Sequence, residues 1–92
     1  MKAYLISYDL LKPGQDYSDL IAAIEKISAT HWHILKSAWV VATDLSAMEI
    51  LNRLLPYLDA NDKMIVNQLG RDAAWTGSLS NGSDWLRSVL PQ

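Results

Sequence analysis

The order in which two hydrophobic periods alternate along the chain is its strongest constraint on the fold. Residues 2 to 8, KAYLISY, alternate with period two. Ala3, Leu5 and Ser7 fall on one side and Tyr4, Ile6 and Tyr8 on the other, as a strand requires. Tyr17, Leu20, Ile21, Ile24 and Ile27 then follow at helical spacing. Period two returns in HWHILKSAWVVAT, residues 31 to 43. That stretch reads as strands 31 to 35 and 38 to 43 joined by a tight turn at Lys36-Ser37, or as one long strand bent there. Helical spacing returns in LSAMEILNRLLPYL, where Leu45, Met48, Leu51, Leu55 and Leu58 share a face. KMIVNQL, residues 63 to 69, reads as a fourth strand.

Local punctuation fits this order. Pro13-Gly14 marks a turn after the first strand. Asp16 to Ser18 supply N-cap residue types for the first helix, with Asp19 in its first turn. Asp44 reads as the cap of the second helix, and Pro56 fits its end better than its middle. AAWTG, 73 to 77, reads as a short fifth strand, and SDWLRSVL as a terminal helix capped by Ser83. The expected fold is α+β, a ferredoxin-like βαββαβ order. It has a four-stranded antiparallel sheet with two helices on one face, plus a short C-terminal strand/helix tail, in a single domain over residues 1 to 92.

That arrangement leaves one sheet face to explain. The first and third strands are apolar on both sides, whereas a face open to water shows polar alternation. The second face is therefore expected to be covered. Little chain remains to cover it, so a second copy of the chain is the expected cover.

Composition narrows the function classes. Half of the 92 residues are hydrophobic, which excludes a disordered chain. Eight Lys plus Arg stand against ten Asp plus Glu, a poor balance for holding duplex nucleic acid by its phosphates. The absence of cysteine excludes disulfides and cysteine zinc sites and fits a reducing cytosol. The opening MKAYLISYDLLKPG is too short and too interrupted by Tyr, Ser and Asp for a signal peptide or membrane span. A cytoplasmic protein without a membrane partner is expected.

A strand ending in SYD, the hairpin LKSAWVV and the βαββαβ order together resemble the CRISPR-associated ferredoxin-like nuclease and adaptor superfamily. That superfamily includes the second protein of spacer acquisition and related virulence-associated toxins. YDLLKPGQDYSDL, HWHILKSAWVV, LDANDK and the tail AAW…SDWL resemble its compact SinR-like branch over nearly the whole chain. No helix-turn-helix pattern accompanies that label. The resemblance implies a homodimer in which the tail, residues 71 to 92, packs on the partner and AAWTG adds a strand to its sheet. It also implies that Asp9 of each subunit approaches the two-fold axis. In nuclease members such a pair holds a divalent metal for phosphodiester cleavage, whereas other members bridge proteins or DNA without hydrolysis. The acidic balance of this chain departs from the basic members.

Individual residues admit two readings each. Asp9 is either a metal ligand and catalytic carboxylate or the residue that ends a strand and bonds its own turn. Hard oxygen ligands suit Mg²⁺ or Mn²⁺, which use only one or two carboxylates. Ser37 either positions a phosphate or a water on the metal, or is a turn serine. His31 and His33, at i and i+2 on a strand, share a face; they form half of a metal clip or are ordinary surface histidines. Asp59, Asn61 and Asp62 lack the Gly and Glu of a calcium loop and read as a turn. Lys12-Pro13-Gly14 lacks the glycines of a phosphate loop. Trp32, Trp39, Trp75 and Trp85 read as core and contact residues rather than base-stacking platforms. The expected functions are a homodimeric metal-dependent endonuclease acting on RNA or DNA, a noncatalytic interaction module, and a toxin-like ribonuclease.

Overall fold

The computed structural model describes residues 1–10, 17–77 and 82–91. The elements run β1 (Lys2–Asp9), α1 (Ser18–Ile27), β2 (His31–Leu35), β3 (Ala38–Thr43), α2 (Ala47–Leu54), a 3-10 turn (Leu55–Tyr57), β4 (Lys63–Gln68) and α3 (Gly82–Val89). The four strands form one sheet in the order β2-β3-β1-β4. Every pairing is antiparallel, so the fold is the expected ferredoxin-like one. Lys36 and Ser37 join two separate strands. Pro56 sits in the 3-10 turn that ends the second helix, where its missing N–H costs no helical bond.

α1 and α2 cover one face of the sheet. Tyr4, Ile6 and Tyr8 of β1 meet Trp39 and Val41 of β3 there, together with Leu20, Ile24, Ile50 and Leu54 from the helices. Ile6, Leu20, Ile24, Ile50 and Leu54 are fully buried. Within the second helix a different row from the expected one turns inward, although Leu45 and Leu58, which flank it, do pack against the core. Met48 and Leu55 of the expected face are 64% and 50% exposed, and the buried row is Ile50 and Leu54. The helix is capped by Ser46 rather than Asp44. The Ser46 hydroxyl accepts from the Glu49 N–H at 3.1 Å, and the Glu49 carboxylate accepts from the Ser46 N–H at 3.1 Å, a reciprocal capping box.

The other face carries α3 of the same chain. Leu86 and Leu90 pack with Ala3 and Val40, joined by Leu5, Ile34, Leu69, Trp75 and Trp85. With cover on both sides, all six residues of β3 are buried, which explains its lack of polar alternation. The tail thus supplies, from within the chain, cover expected of a second copy. Residues 73–77 join no strand of the sheet, so the expected fifth strand is absent. Ser83 lies inside α3, and its hydroxyl accepts from the Trp75 indole N–H at 3.0 Å. The Pro13-Gly14 turn, Lys12 and Asp16 lie outside the described residues.

Candidate functional site

The C-terminal end of β1 delivers Asp9 to one end of the sheet. The β2–β3 turn and the start of β4 flank it there. The Tyr8 N–H donates to the Ser37 carbonyl at 3.0 Å, which ties the hairpin turn to the strand end. On the other side Asp9 pairs with Lys63 in the β1–β4 register, and Ser7 pairs with Ile65. An open depression of about 390 Å³ results, lined by Ser7, Tyr8, Asp9, Ser37, Lys63, Met64 and Ile65.

Asp9, Ser37 and Lys63 are exposed, whereas Tyr8 is buried. Alternation explains this split. Tyr8 points into the helix-covered core, where its hydroxyl accepts from the Trp39 indole N–H at 3.2 Å. Ser7 points to the opposite face, as the sequence alternation requires. The two residues proposed from sequence for one site, Asp9 and Ser37, are brought together. Sequence reasoning misses Lys63, because only strand register places it opposite Asp9.

The histidines take a different position. The His33 ring stacks on Trp39 with centroids 4.3 Å apart, and His31 lies tilted at 5.7 Å from the same indole. His31 Nδ1 donates to the Ser28 carbonyl at 2.6 Å, and His33 Nε2 donates to the Lys36 carbonyl at 3.2 Å. Carbonyls only accept, so in each contact the ring nitrogen is the donor. Among the described residues no group of three or more His, Cys, Asp or Glu side chains is placed to hold a metal ion.

The remaining sequence candidates have structural roles. The Asp59 N–H donates to the Asp62 carboxylate at 2.9 Å, the Asp62 N–H donates to the Asp59 carbonyl at 3.1 Å, and Tyr17 donates its hydroxyl proton to Asp62 at 3.3 Å. This is a turn locked from three sides. Trp39 is buried in the helix-side core. Trp32 meets Trp85 edge to face at 6.3 Å, and the Arg87 guanidinium lies 5.5 Å from the centre of the Trp75 ring. Each of the four indoles therefore has packing partners within the chain.

A single described carboxylate, two hydroxyls and an ammonium can bind an anion or take part in a shared metal site. Asp9 alone is a weak metal ligand, because one carboxylate offers little charge against the hydration of a divalent cation. No protein-family model and no solved structure matches the chain.

Proposed function

We propose that the chain acts as a homodimer whose two Asp9 carboxylates together hold Mg²⁺ or Mn²⁺ against a phosphodiester of RNA or DNA. The resemblance to the SinR-like branch of the CRISPR-associated superfamily supplies the pairing. The observation that supports the reading is the convergence of Asp9, Ser7 and Ser37 on one open depression. In this reading Asp9 offers hard oxygen ligands, and the hydroxyl of Ser37 donates to a phosphate oxygen. A bound divalent cation would supply the positive charge that a phosphodiester needs as its bond to oxygen breaks. Asp9 is exposed, which leaves it accessible to a second subunit and to substrate.

The test is cleavage of labelled single-stranded RNA, single-stranded DNA and duplex DNA by wild type and Asp9→Ala. Each is run with Mg²⁺, with Mn²⁺ and with chelator. Metal-dependent cleavage that disappears in the variant supports the reading. Equal cleavage by both proteins, or none by either, removes it.

A second reading, a noncatalytic dimeric interaction module, has its own support. Lys63 opposes Asp9 and lowers the attraction of that position for a cation. Among the described residues β4 is an edge strand with one side unpaired, and its Ile65 is 66% exposed. An edge with an exposed apolar residue is a template for strand addition. Sedimentation showing a dimer that neither cleaves nor needs metal would favour this module.

A further inference from the structure

Lys63 opens β4 and stands directly opposite Asp9 in the ladder. Residues paired this way project from the same face, with Cβ atoms about 5 Å apart. Both side chains are exposed and line the same depression. Among the described residues no ion pair joins them. Lys63 is also the one cation among the described residues that line the depression.

We propose that Lys63 holds a phosphate oxygen of a single-stranded nucleic acid at the Asp9 depression. This rests on reading the depression as a phosphodiester site. A bare carboxylate repels a phosphodiester, so a substrate brought to Asp9 needs a compensating cation within reach. Lysine is suited to this: a compact ammonium with three donors on a flexible stem binds phosphate as a point charge. The chain has a net charge of -2, so no general basic surplus competes with this local charge. One cation per depression matches a single strand better than a duplex, which carries one charge per about 1.7 Å of axis. Ile65, exposed beside Ser7 in the β1–β4 register, offers apolar surface for an unstacked base.

The experiment measures binding of fluorescent 12-nucleotide RNA and DNA single strands, and of the matching duplex, in chelator across a salt series. Wild type, Lys63→Ala, Lys63→Arg and Asp9→Asn are compared, and cleavage is followed separately with metal. Lys63→Ala is expected to weaken single-strand binding about three- to tenfold. It should also make the salt dependence shallower by about 0.7 in log–log slope for every phosphate that Lys63 neutralises. Lys63→Arg should restore both, and Asp9→Asn should bind at least as tightly as wild type. Unchanged affinity and slope in Lys63→Ala, no binding by wild type, or tighter binding of the duplex would each overturn the assignment. Lys63-dependent binding without any cleavage removes the nuclease reading and keeps Lys63 as the phosphate ligand. Asp9-dependent cleavage with KM unchanged in Lys63→Ala does the reverse.

Discussion

The indole N–H of Trp39 donates to the hydroxyl of Tyr8 across the buried helix-side core, at 3.2 Å. The bond joins β3 to the residue immediately before Asp9, and both partners are buried. Tyr8→Phe removes the acceptor and leaves a buried N–H unsatisfied, a loss of about 1–3 kcal/mol. Chemical denaturation should show that loss with an unchanged denaturant slope. Trp39→Phe in the Tyr8→Phe background should recover part of the hydrogen-bond penalty, because the orphaned donor goes with it. A double variant that shows both single losses in full would mean that the bond carries no coupling.

Asp9 sits at an exposed strand end, so its role in folding is small. Asp9→Asn should melt with wild type, the two stabilities agreeing within about 0.5 kcal/mol. Loss of metal-dependent cleavage in a variant of unchanged melting temperature would then report chemistry. A large fall in melting temperature would instead make Asp9 a structural residue.

The two apolar rows of α2 separate cleanly by mutation. Ile50 and Leu54 are fully buried, so Ile50→Ala and Leu54→Ala should each cost about 2–5 kcal/mol. Met48→Ala and Leu55→Ala remove exposed side chains and should stay within about 0.5 kcal/mol. Equilibrium unfolding of the four variants checks this, and equal costs in both rows would contradict the helix orientation.

How legible this molecule is in its sequence varies by element, for identifiable reasons. The strand and helix order is readable because KAYLISY, HWHILKSAWVVAT and the Leu20–Ile27 stripe each keep one period throughout. The inward face of α2 is not. Met48, Leu51 and Leu55 make one helical row and Ala47, Ile50 and Leu54 another, and only the packing partner selects between them. Here Ile50 and Leu54 meet the Tyr4–Ile6–Tyr8 face of β1. By length alone the tail is too little chain to cover a sheet face, but Leu86 and Leu90, joined by Trp75 and Trp85, cover its centre at Ala3 and Val40 and leave Leu35 and Ile65 exposed. Asp9 and Ser37 are each visible as residue types at turns. Their meeting with Lys63 depends on strand register, a long-range property that local patterning leaves open.

The capping box of α2 gives a pH-dependent prediction. Hydrogen bonds from the Ser46 N–H and then the Ser46 hydroxyl, with the Arg53 charge adding to them, hold the Glu49 carboxyl below its ordinary value. A carboxyl with a lowered folded pKa stabilises the fold fully above its unfolded pKa. That contribution disappears as pH falls through the lowered folded value. The gap in stability between wild type and Glu49→Gln should therefore be constant near neutrality and shrink on acidification. Ser46→Ala should cost about 0.5–2 kcal/mol at neutral pH. Thermal melts from neutral to acidic pH decide it; a gap that widens on acidification would reverse the sign.

Gly82, the first residue of α3, lies directly beneath the indole of Trp32, with no room for a Cβ between them. The same indole meets Trp85 edge to face, so Trp32 is held between the start of α3 and its middle. Gly82→Ala forces the ring out of this position and should cost about 1–3 kcal/mol as overpacking, against the higher helix propensity of alanine. Because α3 covers Ala3 and Val40, loosening it should expose that face. Binding of a hydrophobic dye and a changed tryptophan emission spectrum would follow. Trp32→Leu in the Gly82→Ala background shrinks the obstructing side chain and should recover part of the stability. An alanine variant as stable as wild type, with native emission, would show that α3 does not depend on this packing to dock on its own sheet.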